Sequence, residues 1–164
     1  MTTTVRGAVL REQPGRMAIE DVQVDDVRPR EVRIRVRAAG LCHSDLHVLQ
    51  GTAIRQLPAV MGHESAGVVE AVGSEVTYVK PGDHVVACQG YCGTCTPCLT
   101  GRTHWCQHRP SLRRAPSDTP RLRDRAGSPL VPYADLATFA ELMLVHESSV
   151  VKVPVEVPFP KHLS

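Results

Sequence analysis

Four cysteines lie close together near the middle of the sequence, as Cys92-x2-Cys95-x2-Cys98-x7-Cys106. Four thiolates can close a tetrahedral shell around a zinc ion, and short C-x2-C steps are typical of such shells. A closed shell leaves no open coordination position, so a site of this kind holds structure and performs no catalysis. The spacing therefore predicts a structural zinc site.

Other interpretations of the four cysteines remain open but are less favoured. The first three fit the bacterial ferredoxin run, but there the fourth cysteine follows after three residues and precedes proline, whereas Gln107 follows Cys106 here. Disulfides are disfavoured because the N-terminus lacks a basic segment followed by an apolar one, which predicts a reducing, cytoplasmic location. His104 or His108 could replace Cys106 as the fourth ligand, although solvated loop histidines are the simpler interpretation.

A second group of residues could also bind metal. Cys42 is followed by His43, Ser44, Asp45 and His47, and Gly62-His63-Glu64 comes some twenty residues later. Cysteine and histidine with a carboxylate suit a zinc site with an open position, where a bound oxygen becomes more acidic. From spacing alone, a buried cysteine with two surface histidines explains the same residues.

The elements that must position these groups are mostly strands. Val32, Ile34 and Val36 alternate with arginines, which predicts a strand with one buried and one solvated face, ending at Gly40 just before Cys42. A short helix is expected at 44–49, with Leu46 and Leu49 on its apolar side. Further strands are expected at 6–10, 17–24, 67–73, 84–87, 139–145 and 150–153. Short strands with irregular loops suggest a β-barrel or sandwich, from which the cysteine-rich lobe projects.

Composition excludes several classes of function. With 42% hydrophobic and 22% charged residues the chain is ordinary globular protein, and no apolar run approaches the roughly 18 residues of a membrane helix. A net charge of +2 does not by itself imply a nucleic-acid partner. An arginine-rich segment lacks interleaved aromatics and holds Asp118 and Asp124, so it is predicted to be a solvated, mobile loop. Its arginines are Arg109, Arg113, Arg114, Arg121, Arg123 and Arg125.

Four single residues receive simple predictions. Cys88 is expected to be a buried strand residue, with a place in a substrate pocket as the second interpretation. His84 is assigned to the strand that follows the Pro-Gly-Asp turn. His146 and His162 have no evident partner in the sequence and are expected at the surface.

The order of these motifs resembles that of a known family. Cys42 with Ser44-Asp45-x-His47, then G-H-E-x2-G-x5-G-x2-V from Gly62, then Pro-Gly-Asp and the four-cysteine lobe are similar to the zinc-dependent medium-chain alcohol dehydrogenases. The likeness is to their N-terminal, GroES-like catalytic domain and runs from about Val5 to Val157. It implies a mainly β fold, a partly open GroES-like barrel with short helices and a zinc-binding lobe at about 88–108. Co-chaperonin activity does not follow from the fold.

The resemblance implies a role for each candidate residue. Cys42 and His63 would be ligands of a catalytic zinc, Glu64 would lie beside the metal, and Asp45 would accept the other ring N–H of His63. The structural zinc would be held by the four clustered cysteines, Cys92, Cys95, Cys98 and Cys106.

Three neighbouring residues would serve the substrate and the cofactor. Ser44 and His47 would pass the alcohol proton to solvent. His43 stands where relatives hold the cofactor pyrophosphate with a basic side chain, and as a histidine it would do so weakly near neutral pH. The implied reaction oxidises a small alcohol to an aldehyde or ketone and transfers a hydride to NAD or NADP.

In this family the domain is about half of the enzyme, and a Rossmann domain follows it. Residues 1–164 contain no G-x-G-x-x-G and stop near the position where relatives supply a third catalytic ligand. We therefore expect a longer native chain or a separate Rossmann-domain polypeptide to complete the site and to bind NAD(P). The alternative is a truncated, non-catalytic zinc-binding domain or an interaction module. No membrane or nucleic-acid partner is expected.

Overall fold

The computed structural model describes residues 2–159, which form two five-stranded sheets. The first has the strand order β7-β2-β1-β4-β8 and the second β10-β6-β5-β3-β9. The strands are β1 Thr3–Leu10, β2 Ala18–Val24, β3 Glu31–Gly40, β4 Ala59–Val60, β5 Glu64–Val72, β6 His84–Ala87, β7 Leu122–Asp124, β8 Val131–Pro132, β9 Leu142–His146 and β10 Val150–Val153. The helices are α1 His43–Leu49 and α2 Thr96–Leu99, with single 3-10 turns at Thr103–Trp105, Arg109–Leu112, Tyr133–Asp135 and Glu147–Ser149.

The segment before β9 joins the two sheets. The Ala8 N–H in β1 donates to the Phe139 carbonyl at 2.7 Å, and the Glu141 carbonyl accepts from Val36 of β3 at 3.0 Å. Gly7 also forms a bridge with Ala140. The two sheets thus continue into each other along this line. The result is a nearly closed barrel, which confirms the mainly β, GroES-like class.

The alternation predicted for β3 is present. Val32 and Ile34 are fully buried, while Arg33 and Arg35 on the opposite face bond to Glu70 of β5 at 3.0 and 2.6 Å. A strand with apolar residues on one face and ion-paired residues on the other can pack between two other strands of its sheet. β3 lies between β5 and β9 in the second sheet.

The arginine-rich segment differs from the sequence prediction. The side chains of Arg114 and Arg121 are only 6% and 7% exposed, and both bond to Glu31, whose own side chain is 5% exposed. The distances are 2.6 Å from Arg114 and 2.7 Å from Arg121, and Arg114 also reaches Asp25. The prediction of a solvated, mobile loop is therefore wrong for these two arginines. They fasten the segment to the first residue of β3.

The surface placement predicted for His146 is also wrong. It is the last residue of β9 and is 8% exposed, with its Nδ1 2.9 Å from the Ser148 hydroxyl. His162 lies outside the described residues. His84 does begin β6, as expected. Within residues 2–159 there is no helix with the length and apolar character needed to cross a membrane.

Candidate metal centres

The first centre begins where β3 gives way to α1. Cys42 immediately precedes the helix, and its backbone N–H donates to the Asp45 carboxylate at 3.2 Å. Asp45 and Val48 form the buried side of α1, whereas Leu46, predicted on the apolar side, is 40% exposed. The buried face of α1 therefore includes a carboxylate, that of Asp45. This carboxylate accepts the Cys42 N–H at the start of the helix and lies close to His63.

His63 and Glu64 are contributed by a different element, β5. His63 directly precedes this strand and Glu64 is its first residue. The preceding Gly62 has a φ of +87°, and a Cβ there would lie 2.5 Å from the Thr138 hydroxyl oxygen. Only glycine fits this position. The sharp turn that orients His63 therefore depends on Gly62. A side chain at Gly40 would likewise overlap the carboxylate of Glu64.

The three candidate ligands converge. One ligand atom from each of Cys42, His63 and Glu64 lies within 4.8 Å of the other two, with the first two residues half-buried and Glu64 exposed. His63 Nδ1 is 3.4 Å from Asp45 Oδ1, and in the described chain neither buried atom has a hydrogen-bond partner. Sulfur, nitrogen and oxygen donors together suit zinc, and a carboxylate behind a ligating histidine is its usual support. The residues therefore fit a zinc ion.

The other predicted site residues lie on the same helix. The Ser44 hydroxyl is 3.5 Å from the Cys42 sulfur. His47 Nδ1 is 3.0 Å from the Thr52 hydroxyl, and the exposed ring of His43 stands 4.9 Å from that of His47. Sequence reasoning missed Thr52, which follows a glycine turn and belongs to no motif.

Tyr133 is a second residue that the sequence did not indicate. Its ring stands edge-on to His63, with the ring centroids 5.3 Å apart. Burial raises the pKa of Tyr133 and the nearby Asp45 carboxylate adds to the rise, while the Arg55 guanidinium opposes it through its charge and a hydrogen bond to the phenol. Tyr133 sits in an irregular segment far along the chain, so no local pattern could have marked it.

The four clustered cysteines form the second centre. Their sulfurs all lie within 4.8 Å of one another, with Cys95 to Cys98 at 3.4 Å and Cys92 to Cys98 at 3.9 Å. A tetrahedral shell with Zn–S bonds of about 2.3 Å has sulfurs about 3.8 Å apart. The Cys106 sulfur accepts the Cys92 N–H at 3.3 Å. The four sulfurs therefore lie at nearly the spacing that a tetrahedral zinc site requires.

Polar groups of the lobe lower the pKa of two of its thiols, Cys92 and Cys95. The backbone N–H and the hydroxyl of Thr94 lower the pKa of Cys92 to about 5. Burial and the neighbouring Cys95 raise the pKa of Cys98 to about 12, because a thiolate there would lose hydration and stand beside another sulfur. A bound cation would relieve that crowding. The proposed substitute ligand His104 is exposed and rests against the Trp105 ring at 5.3 Å.

Cys88 follows β6 rather than lying within it. It is half-buried, and its N–H donates to the Ser149 carbonyl at 2.9 Å. Burial raises the pKa of this thiol. These features agree with a packed residue beside the sheet.

Comparison with known proteins places this geometry in a family. The model of the alcohol dehydrogenase GroES-like domain matches residues 28–155. The chain is 42% identical over 151 residues to an NDMA-dependent alcohol dehydrogenase from Amycolatopsis methanolica, covering 90% of this chain and 40% of that protein. It is 37% identical over 166 residues to a class-3 alcohol dehydrogenase from Oryza sativa subsp. japonica, covering 96% and 43%.

A solved structure agrees with these relatives. An alcohol dehydrogenase zinc-binding domain protein from Burkholderia ambifaria superimposes with a TM-score of 0.88 at 41% identity, covering 97% of this chain and 44% of that one. The chain thus spans about two fifths of the length of the relatives it matches. It belongs to the alcohol dehydrogenase GroES-like domain family, the N-terminal domain of the zinc-type alcohol dehydrogenases, which confirms the resemblance seen in its motifs.

Proposed function

We propose that this chain is the catalytic zinc domain of an NAD(P)-dependent alcohol dehydrogenase that interconverts small alcohols with aldehydes or ketones. The observation that carries the proposal is the convergence of Cys42, His63 and Glu64 within 4.8 Å in a member of this family. The domain would occupy residues 1–164, with its zinc lobe at about 88–108. NAD or NADP would be bound together with a Rossmann domain, on a longer native chain or on a separate polypeptide.

Cys42 and His63 would hold the catalytic zinc, with Glu64 as the exposed third donor. A bound zinc would supply the Lewis acidity that makes an alcohol hydroxyl easier to deprotonate. The buried Asp45 would fix the ring of His63 through the Nδ1 atom that lies 3.4 Å away. Because Glu64 is exposed, it can turn toward or away from the metal without rearranging the barrel.

Two exposed residues of α1, Ser44 and His47, would transfer the proton. The Ser44 hydroxyl lies 3.5 Å from the Cys42 sulfur, which places it beside the ligand set. His47 is exposed and its Nδ1 lies 3.0 Å from Thr52, so its ring is oriented and in contact with solvent. Ser44 would take up the substrate proton and His47 would release it. His43 would face the cofactor pyrophosphate.

The four cysteines of the lobe would bind a second, structural zinc. All six cysteines of the chain carry free thiols in this structure. Free thiols held ready for metal are typical of reducing compartments, which supports a cytoplasmic location.

Zinc content per polypeptide tests the metal assignments. We expect two zinc ions in the wild-type chain, one in Cys42→Ser and one in Cys98→Ser, measured by elemental analysis after gel filtration. One zinc in both the wild type and Cys42→Ser would contradict the catalytic centre. The alternative of a non-catalytic zinc-binding domain would then explain the protein better.

His47→Ala tests the proton path separately. Because His47 is not among the proposed ligands, the variant should keep two zinc ions. In an assembly that includes the cofactor domain, His47→Ala should slow the transfer of the substrate proton to solvent. Loss of zinc from His47→Ala would overturn the assigned role.

A further inference from the structure

The ring of His47 is held by a threonine from the turn that follows α1. His47 Nδ1 lies 3.0 Å from the hydroxyl oxygen of Thr52. The same hydroxyl donates to the main-chain carbonyl of His47 at 3.1 Å. Thr52 therefore contacts both the side chain and the backbone of a single residue.

Backbone hydrogen bonds fix the Thr52 hydroxyl in this place. The N–H groups of Thr52 and Ala53 both donate to the His47 carbonyl, at 3.0 and 3.1 Å. Gly51, with a φ of +74°, forms the turn that brings these two residues back to the end of the helix. The Gln13 amide nitrogen, from the turn after β1, donates to the Ala53 carbonyl at 3.0 Å. The hydroxyl thus has a defined position beside the ring.

A neutral histidine ring carries its hydrogen on one nitrogen only, so this contact has two alternative forms. If Nδ1 carries the hydrogen, it donates to the Thr52 oxygen, and the hydroxyl hydrogen remains free to donate to the His47 carbonyl. If Nε2 carries the hydrogen, the hydroxyl must turn its single hydrogen toward Nδ1, and its bond to the carbonyl is lost. The first form therefore has one hydrogen bond more than the second.

The choice between these forms decides whether the ring can accept a proton. In the Nδ1–H form, Nε2 has a free lone pair, and its protonation leaves the bond between Nδ1 and Thr52 unchanged. In the Nε2–H form, the lone pair is on Nδ1 and is occupied by Thr52. Ser44 precedes His47 by one helical turn on α1, and side chains at this spacing are neighbours on a helix surface.

We propose that Thr52 is a positioning residue that keeps neutral His47 in the Nδ1–H form and so makes Nε2 the atom that takes up the proton. The hydrogen bond at one ring nitrogen generally determines which nitrogen is protonated. This inference rests on the proposed function, because it assumes that His47 passes the substrate proton to solvent.

The form of the ring can be measured in the zinc-loaded chain without turnover. Long-range 1H–15N correlation spectra distinguish ring nitrogens that carry hydrogen from those that do not, and the His47 signals are those missing from His47→Gln. At alkaline pH, where imidazole groups are uncharged, the wild type should be mainly in the Nδ1–H form. Thr52→Val keeps the shape and removes the hydroxyl. It should lower the ratio of Nδ1–H to Nε2–H about fivefold, the factor that corresponds to one net hydrogen bond of about 1 kcal/mol.

Control variants separate the hydroxyl from other effects of substitution. Thr52→Ser retains the hydroxyl and should keep the wild-type ratio, as should Thr77→Val at another exposed threonine. A wild-type ring mainly in the Nε2–H form would overturn the inference, and so would equal ratios in wild type and Thr52→Val. If the ratio changes but the backbone amide signals of residues 48–55 are also displaced, the effect belongs to the turn and the inference is wrong.

Two further measurements separate failure of the inference from failure of the proposed function. A single zinc ion per chain in the same samples would refute the first metal centre, and the proton path with it. With two zinc ions bound, an unchanged ring ratio in Thr52→Val would refute the inference alone. In an assembly that includes the cofactor domain, Thr52→Val should lower kcat and leave KM unchanged, and Thr52→Ser should restore kcat. A wild-type kcat in Thr52→Val would contradict the positioning role.

Discussion

The carboxylate of Asp45 contacts two of the three residues proposed to hold the first zinc, Cys42 and His63. Its Oδ1 lies 3.4 Å from His63 Nδ1, and its Oδ2 accepts the Cys42 N–H at 3.2 Å. The two ligands come from different elements, since Cys42 precedes α1 and His63 precedes β5. One buried side chain therefore sets the position of one ligand relative to the other.

Replacing this carboxylate should weaken the first site alone. Asp45→Asn keeps the size of the side chain but loses the charge that favours the proper ring tautomer of His63, so zinc affinity should fall about 10- to 100-fold. Competition with a chromophoric chelator measures both sites in one titration. The cysteine lobe should bind as in wild type, and the exposed Asp21→Asn should change neither site. Unchanged affinity at both sites in Asp45→Asn would refute this role.

The Glu31 cluster should contribute strongly to stability. Glu31 accepts hydrogen bonds from the buried Arg114 and Arg121, and removing its charge leaves Arg121 without its carboxylate partner and Arg114 with Asp25 alone. Breaking a buried pair in this way costs about 3–5 kcal/mol of the free energy of unfolding. Urea denaturation of Glu31→Gln with zinc present measures the loss.

Glu147→Gln is the matched control for that experiment. Glu147 pairs at 2.7 Å with Arg30, and the two side chains are 17% and 58% exposed, more than those of the Glu31 cluster. Exposed ion pairs contribute about 0–1 kcal/mol, so this variant should remain near wild type. Equal losses in the two variants would contradict the special place of the Glu31 cluster.

Stability should fall in acid because of Asp83. Hydrogen bonds from Lys152 and Lys80 hold the pKa of Asp83 well below its ordinary value of 3.8. A carboxylate with a lowered folded-state pKa contributes stability at neutral pH, and this contribution is lost as the pH falls below the unfolded-state value. Asp83→Asn should therefore be less stable than wild type at pH 7, and the difference should shrink below about pH 4.

Comparing the two proteins at each pH removes effects that they share, including loss of zinc from thiolates in acid. Urea midpoints between pH 3 and pH 7 supply the measurement. A difference between wild type and Asp83→Asn that stays constant over this range would count against the assignment. Glu31 acts in the same direction, since burial alone would raise its pKa but Arg114 and Arg121 lower it overall.

Local patterns were sufficient to predict most of the barrel. The bounds expected for β6 and β10 coincide with those in the structure, because each is a short valine-rich run close to turn or proline signals. The four clustered cysteines and the Cys42–His63–Glu64 set come together as their spacing and family resemblance suggested. In each case the relevant information lies within a few residues or in a recognisable motif.

The failures share a physical cause, which is pairing over long sequence separations. Arg121 lies 90 residues from Glu31 in the chain, so nothing near it indicates that its charge is compensated in the interior. An isolated arginine-rich segment looks solvated because burying an unpaired charge is prohibitively costly. Tyr133 beside His63 escaped notice for the same reason, as did Gln13, whose amide oxygen accepts the Arg55 N–H.

The cysteine lobe should depend on its metal for shape while the barrel does not. Cys95 and Gly90 are the buried residues of the stretch 89–108, so hydrophobic packing alone cannot hold it. Trp105, the single tryptophan of the chain, precedes Cys106 and is 63% exposed, with the Arg102 guanidinium 5.9 Å from its ring.

Removing zinc with a chelator should lower the fluorescence anisotropy of Trp105 and leave the far-ultraviolet circular dichroism of the strands largely intact. Cys98→Ser should behave like the stripped protein, whereas Cys42→Ser should retain wild-type anisotropy because its defect lies in the other centre. An anisotropy that does not respond to zinc removal would show that the lobe is held by the polypeptide alone.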